Sequence, residues 1–132
     1  MSIEQAFHDR WKTDARITAL VPIERVFTGT AVGAAPLPYV AVARSATAPV
    51  AHASGGTLIE KTRLEVGIWS ADLDTGKQIA AEAARLYERA DFAMTGGGVL
   101  NVQPAGRREK PQSDGAWLVA LDLDVITTNQ SP

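Results

Sequence analysis

The spacing of apolar residues predicts helices in the first and middle parts of the chain. Ile3, Phe7 and Trp11 recur every four residues, which places their side chains on one face of a helix. A short second helix is expected after Thr13-Asp14, ending before Pro22. Between residues 77 and 90 the apolar residues again follow helical spacing. That stripe comprises Ile79, Ala80, Ala83, Leu86, Tyr87 and Ala90.

Alternation of apolar and polar residues predicts strands elsewhere. The clearest example is the run from 57 to 70, where Leu64, Val66 and Ile68 alternate with charged residues. Strands are expected at 24–28, 39–45, 57–70, 99–103 and 116–127. In the last of these, the residues expected to face the core are Trp117, Val119, Leu121, Leu123 and Val125. The polar stretch 104–115 is predicted to be a loop or the tip of a hairpin.

This order of elements predicts an α+β fold. Strands joined by tight turns are antiparallel neighbours, and amphipathic helices can cover one face of such a sheet. We therefore expect an antiparallel sheet of four to five strands with two amphipathic helices packed on one face. Gly55-Gly56 reverses the chain within 39–69, which predicts a long projecting β-hairpin. The length of 132 residues suits a single domain spanning residues 1–132.

Composition narrows the possible functions. The chain has no cysteine, which excludes a disulfide and a thiolate metal site. It has only two histidines, His8 and His52, which makes a Ser-His-Asp triad a poor expectation. Both histidines are expected at the surface. The net charge of −2 argues against a general nucleic-acid binder. No export signal is expected, and no apolar run approaches the roughly 20 residues of a membrane span. We therefore predict no enzymatic activity, cofactor or metal.

Asp74-Thr75-Gly76 matches the tripeptide that carries the catalytic carboxylate of aspartic proteases. In those enzymes the tripeptide lies in a loop between strands, whereas here the best helical stretch of the chain follows it. A carboxylate before a helix accepts hydrogen bonds from free backbone amides and suits the positive helix end. Asp74 is therefore predicted to be a helix cap, with Asp72 as the alternative.

Two further polar groups invite a functional interpretation. Asp122 and Asp124 lie two residues apart in a strand and share a face, so with a third oxygen ligand they could hold a divalent cation. We expect instead that Asp122 and Asp124 form the polar side of an alternating strand. Arg107, Arg108 and Lys110 form a basic cluster, which is either solvated charge or a contact for a partner or phosphate.

Four further stretches carry a family resemblance: "ITALVPIERVF" (17–27), "PLPYVAV" (36–42), "RLEVGIWS" (63–70) and "AWLVALDLDVIT" (116–127). In these stretches the chain resembles the tail terminator (tail-completion) family of long-tailed bacteriophages and gene transfer agents. The similarity covers residues 2–127 and rests on hydrophobic pattern more than on a sharp signature.

The resemblance implies a structural virion protein, assembled in the host cytoplasm, that caps the end of a tail tube as a ring. The ring is expected to be a hexamer that stops tube polymerisation and joins the tail to the neck and head. Its partners are then further copies of itself, the tail tube protein and a head–tail connector or stopper protein, and DNA passes through without sequence-specific binding. No membrane is involved. Candidate assembly contacts are Arg44, His52, Gly55, Gly56, Arg107, Arg108 and Lys110.

Two alternatives stay open at this point. One is another neck protein, such as a head–tail connector or stopper, which is also a small ring-former. The other is a small-molecule-binding or enzymatic α+β domain with a pocket beneath the helices. A cluster of convergent polar groups would favour that second alternative.

Overall fold

The computed structural model describes residues 3–29, 36–52, 57–94 and 97–130. These residues form three α-helices, one 3₁₀ turn and six strands. In chain order they are α1 (Ile3–Lys12), α2 (Ala15–Leu20), the 3₁₀ turn (Ile23–Arg25), β1 (Val26–Thr28), β2 (Tyr39–His52), β3 (Thr57–Ser70), α3 (Leu73–Tyr87), β4 (Phe92–Met94), β5 (Gly97–Pro111) and β6 (Trp117–Gln130). None of the helices in these ranges combines the length and apolar character needed to cross a membrane.

The strands form one mixed sheet in the order β1-β2-β3-β6-β5-β4. Every neighbouring pair is antiparallel except β1 and β2, which are parallel. The expected fold class was right, but the four to five antiparallel strands are corrected to six mixed strands. β4 was not predicted from the sequence, because three residues are too few to show an alternating pattern.

The three helices cover one face of the sheet. The short second helix predicted after Thr13-Asp14 is α2, so three helices rather than two lie on this side of the sheet. The Asp14 carboxylate accepts a hydrogen bond from the Ile17 backbone N–H at 3.0 Å, as the predicted second cap requires. That bond is the main cause of the lowered pKa of Asp14. The predicted apolar stripes of α1 and α3 are buried, and Ala90 lies beyond the end of α3.

The cap of α3 is Asp72, so the prediction of Asp74 is wrong and its alternative is right. The Asp72 carboxylate accepts hydrogen bonds from the Thr75 backbone N–H at 2.8 Å and from the Thr75 hydroxyl at 3.0 Å. The backbone bond is the main cause of the lowered pKa of Asp72. α3 begins at Leu73, and the Ser70 hydroxyl donates to the Asp72 carbonyl across the turn that follows β3. Asp74 therefore lies in the first helical turn, exposed to solvent.

The core lies between the helices and the sheet, which curls around them. α1 contacts β1 and β2 at one border of the sheet and β4 at the other. Phe7 stacks on Tyr87 with ring centroids 4.4 Å apart and meets Phe92 edge-on at 5.6 Å. Two buried polar groups are satisfied by backbone carbonyls. The Tyr87 hydroxyl donates to Phe7 at 2.6 Å, and the Trp11 indole N–H donates to Val21 at 3.1 Å.

The alternating strands behave as their pattern predicted. In β3 the buried inward residues are Thr62, Leu64, Val66 and Ile68, and in β6 they are Val119, Leu121, Leu123, Val125 and Thr127. Trp117 is the exception, since it is only half-buried. It occupies the first position of β6, opposite Pro111, which is exposed. Solvent therefore reaches the indole from the end of the sheet.

Candidate assembly surfaces

The face of the sheet that points away from the helices, here the outer face, carries a ladder of ion pairs across β3, β6 and β5. Arg63 Nε lies 2.6 Å from Asp124 Oδ1, and Lys61 Nζ lies 3.7 Å from the same carboxylate. These side chains alternate with the inward core residues of the same strands. The ladder is the polar side of the predicted amphipathic strands.

Arg108 extends the ladder to β5. One of its terminal nitrogens lies 2.8 Å from Glu65 Oε2 and 3.0 Å from Asp122 Oδ1. Both carboxylates of the suspected cation site, Asp122 and Asp124, are therefore neutralised by arginines. Within the described ranges, no group of three or more His, Asp or Glu residues is arranged to hold a metal ion.

The same contacts shift the ionisation of the ladder. The hydrogen bond from Arg63, with the charges of Arg63 and Lys61, holds the pKa of the Asp124 carboxyl below its usual value despite partial burial. Hydrogen bonds to carboxylates raise the pKa values of Arg63 and Arg108. The ladder pairs three basic side chains with three carboxylates, so its charges balance: Lys61, Arg63 and Arg108 against Glu65, Asp122 and Asp124.

An aromatic patch occupies the other end of the outer face. Tyr39 stacks on Trp69 with ring centroids 5.1 Å apart, and Phe27 meets Tyr39 edge-on at 6.3 Å. Gly67 is required beneath Trp69, because a Cβ there would lie 2.9 Å from the indole ring. Burial, with a smaller contribution from Asp114, raises the pKa of Tyr39. The two ends of the outer face therefore differ, one aromatic and one charged.

The candidate contacts on the first hairpin fall into two groups. Arg44 lies in β2, and its Nε donates to Glu4 Oε1 of α1 at 2.8 Å, so its guanidinium holds the strand to the helix. His52 is the last residue of β2 and pairs with Leu58 of β3. The pairing from Tyr39 to His52 confirms the predicted long hairpin. The other two candidates on this hairpin, Gly55 and Gly56, lie outside the described residues.

The basic cluster lies in a strand, which corrects the prediction of a loop or hairpin tip over 104–115. β5 continues to Pro111, and only residues 112–116 form the turn. Alternation divides the cluster between the faces of the sheet. Arg108 and Lys110 are on the outer face, whereas Arg107 is on the helix side and lies 3.3 Å from Glu109. Sequence periodicity missed this strand because residues 103–111 are exposed on both faces.

Two stretches of strand at opposite borders of the sheet have no strand partner among the described residues. β1 pairs with β2 only from Val40 to Val42, which leaves the border of β2 open from Arg44 onwards. β4 pairs with β5 only up to Val99, and the Arg89 N–H donates to the Val102 carbonyl at 2.7 Å. The border of β5 is open from residue 103 to 111. We call these stretches the open β2 edge (44–52) and the open β5 edge (103–111).

A groove of about 440 Å³ runs beside the open β2 edge. Its lining residues are Ser45, Ala46, Thr47, Ala48, Lys61, Arg63 and Asp124. The cationic and anionic groups in it are those already paired in the ladder. Its polar groups therefore satisfy one another, and the groove lacks the unpaired convergent groups that would mark a small-molecule site.

Comparison with known protein families identifies the chain. Residues 5–128 match the family described as "Tail completion protein gp17". The chain belongs to this family of tail completion proteins. The resemblance inferred from sequence is thereby confirmed, and the chain has a structural role in the tail of a phage-type particle.

The fold of this tail completion protein is shared with a solved structure. A chain in the structure described as "Virion of native gene transfer agent (GTA) particle" superposes with a TM-score of 0.75 at 16% sequence identity. The match covers 97% of this chain and 96% of that chain. No curated protein sequence matches significantly. At this identity the structural match concerns the fold, and the family assignment rests on the sequence.

Proposed function

We propose that this tail completion protein caps the end of a tail tube as a ring of its own copies, a hexamer, and so stops tube polymerisation and joins the tail to the neck. The observation that carries the proposal is the pair of open edges on opposite borders of one sheet. A protomer with a free edge on each side can contact two neighbours at once. Identical head-to-tail contacts of this kind close into a ring when the rotation between copies allows it.

The charge distribution supports a role as a passage for DNA without sequence-specific binding. The net charge of the chain is −2. Lys61, Arg63 and Arg108 of the outer face are each paired with a carboxylate. Proteins that grip DNA present unpaired cations to the phosphates, which release condensed counterions. A ring with this composition lets DNA slide past.

The open edges also suit a protein that assembles only on its target. Pro49, Pro104 and Pro111 lack a donor N–H and blunt both edges, as prolines do in edge strands of monomeric proteins. We propose that the isolated chain is monomeric or weakly associated and that the tube end supplies the missing contacts. The partners are then copies of the chain, the tube protein and a head–tail connector or stopper. Assembly takes place in the host cytoplasm, and the chain acts as a single unit in the virion without catalysis.

Arg107, Arg108 and Lys110 of the open β5 edge are proposed assembly contacts. The hairpin end with His52, Gly55 and Gly56 is proposed to reach the tube or the connector. Arg44 contributes by fixing the open β2 edge to α1 through Glu4. None of these roles requires a cofactor or metal.

The test is polymerisation of the tube protein with and without this chain. We expect the parent protein to shorten tubes and fix their length, and the double variant Arg107→Glu, Arg108→Glu to leave length uncontrolled. Lys12→Glu with Lys77→Glu is the matched control, since both lysines are exposed on helices away from the open edges. Tubes of the same length with and without the parent chain would contradict the proposal. Normal tails that fail to join heads in its absence would favour the connector alternative.

A further inference from the structure

We propose that the copies in the ring join by strand addition, with the open β2 edge of one protomer pairing antiparallel with the open β5 edge of the next. The partner is a second copy of this chain. The inference rests on the proposed ring and specifies how that ring is held together.

Strand direction is the first support. β2 is antiparallel to β3, β3 to β6 and β6 to β5, so β2 and β5 run in opposite directions. Two copies placed side by side in the same orientation therefore bring β2 of one next to an antiparallel β5 of the other. The alternation of strand direction then continues from one protomer to the next, and antiparallel pairing has the more favourable hydrogen-bond geometry.

Backbone orientation on β2 is the second support. The Val42 carbonyl accepts a hydrogen bond from the Gly29 N–H at 2.8 Å, so the backbone polar groups of Val42 point to the border. β3 pairs with β6 without a register shift, so its residues alternate regularly between β2 and β6. The same alternation continues past the bulge between Arg44 and Ala46. The backbone N–H and C=O groups of Ala46 and Ala48 therefore point to β3, and those of Thr47 point to the border.

The same reasoning applies to β5. The Val102 carbonyl points to the border, where it accepts from Arg89. Beyond the bulge between Pro104 and Gly106, the backbone N–H and C=O groups of Arg108 point to β6. Those of Arg107 and Glu109 point to the border. Pro111 also falls on a border position, where the absence of an N–H costs no hydrogen bond within the sheet. Each open edge thus offers backbone donors and acceptors within a short run limited by prolines.

Side-chain size is complementary across the two edges. The open β2 edge has Ala46 and Ala48 on its outer face beside the groove of about 440 Å³. The open β5 edge has Lys110 on the same face, whereas the Arg108 guanidinium leans back over β6 to Asp122 and Glu65. In the paired arrangement the long Lys110 side chain of one protomer covers the small residues of the next. A pair of β2 edges would leave both grooves unfilled, and a pair of β5 edges would bring like charges together.

The positions of the open edges also favour a ring over a two-fold dimer. The open β2 edge lies toward the His52 end of the sheet, and the open β5 edge lies toward the Pro111 end. Neighbouring copies must therefore be displaced along the strands. Closed sheets have such a stagger, because their strands tilt relative to the axis. The contact uses different surfaces on the two partners, so it propagates from copy to copy.

Cysteine cross-linking tests the pairing, because the natural chain contains no cysteine. Two batches of protein are prepared, one with Thr47→Cys and one with Arg107→Cys. Each batch alone, and a mixture of the two, is assembled on tube ends and then treated with a short bis-maleimide. We expect a cross-linked dimer only when the two batches are mixed. A chain with both substitutions should give a ladder of covalent oligomers up to the closed ring. Lys12→Cys mixed with Gln78→Cys, both exposed on helices, is the control and should not cross-link.

Several outcomes overturn the inference. Dimers from Thr47→Cys alone would show a two-fold contact, and rings in which 47 and 107 never cross-link would place the interface elsewhere while leaving the proposed function intact. Particles that contain the chain without any ring would contradict the proposed function itself.

A proline pair provides a second test. Thr47→Pro removes an N–H that points to the border and also the hydroxyl that is hydrogen-bonded to Thr62 at 3.2 Å, so Thr47→Ala, which loses only the hydroxyl, is the reference. Relative to Thr47→Ala, the proline variant should stay folded as a monomer and reduce ring formation at least tenfold. Ala48→Pro removes an N–H directed to β3 and should unfold the hairpin of the monomer. Folded Thr47→Pro protein that forms rings as well as the parent would overturn the pairing.

Discussion

The strands β3 and β5 have almost the same length, 14 and 15 residues, but they differ in what holds them in place. β3 lies at the centre of the sheet and buries one face against the helices, with Leu64, Val66 and Ile68 inaccessible to solvent. β5 buries only Val99 and Val102, and its second half is exposed on both faces. It is a strand there because β6 pairs with it. Burial and strand formation are therefore separate properties of this sheet.

The difference also separates stability from assembly. Burial of apolar area supplies most of the free energy of folding, and substitutions that create cavities lose it. An exposed half-strand contributes little to that free energy, yet it keeps a border open for another chain. We expect substitutions in β3 to act on folding and substitutions in the second half of β5 to act on the ring.

The largest effect on stability is expected from Leu64→Ala in β3. The side chain is fully buried in the core, so the free energy of unfolding should fall by about 2–5 kcal/mol through lost burial and cavity formation. Leu121→Ala and Leu123→Ala on β6 should fall in the same range, whereas Trp117→Ala should cost less because its indole is half-buried. Chemical denaturation measures the difference. An unchanged midpoint for Leu64→Ala would mean that the face of β3 assigned to the core is wrong.

This contrast also explains how much could be predicted from the sequence. β3 was predicted over its full range because its alternating residues meet a core on one side and solvent on the other. β5 was predicted only over 99–103, since a strand exposed on both faces has no hydrophobic period. The parallel pairing of β1 and the split of Arg107 from Arg108 depend on tertiary contacts that local patterns do not contain. Of the candidate contacts, Arg44, Arg107, Arg108 and Lys110 are exposed in strands whose register came from the structure, and their role in assembly stays a prediction.

The next largest effect on stability is expected at the junction between β3 and α3. Asp72→Ala removes the carboxylate that caps α3 and should lower the free energy of unfolding by about 1 kcal/mol. Asp74→Ala is the matched control, two residues further on, and should cost only a few tenths of that through the helix dipole. Thermal unfolding of the two variants compares them directly. A larger loss from Asp74→Ala would reverse the assignment of the cap.

A smaller effect is expected from the ladder that links β3 to β6 and β5. The folded-state pKa of Asp124 lies below its unfolded value because Arg63 donates to it. Its contribution is therefore present above about pH 4 and is lost as the pH falls further. The exposure of Arg63 and Lys61 keeps that contribution below about 1 kcal/mol at physiological salt. Asp124→Asn should flatten the stability curve below about pH 4, and an unchanged curve would show that the pair contributes nothing.

The smallest effect on stability is expected in the exposed half of β5. Arg107→Ala removes a side chain whose ion-pair partner is the adjacent Glu109 on the same strand, so the free energy of unfolding should change by no more than about 0.5 kcal/mol. The double variant Arg107→Glu, Arg108→Glu should stay within about 1 kcal/mol because the ladder is exposed. Both variants are compared with the parent by denaturant unfolding. A loss as large as that of Leu64→Ala would remove the distinction between the two strands.

The most direct test of the account is imaging of tail tubes by electron microscopy, assembled with and without this chain. We expect a single ring of copies at one end of each tube, present only when the chain is supplied and absent with the Arg107→Glu, Arg108→Glu variant. In that ring the sheets of neighbouring protomers should meet edge to edge. Tube ends that look the same in all three preparations would contradict the proposed role as a cap.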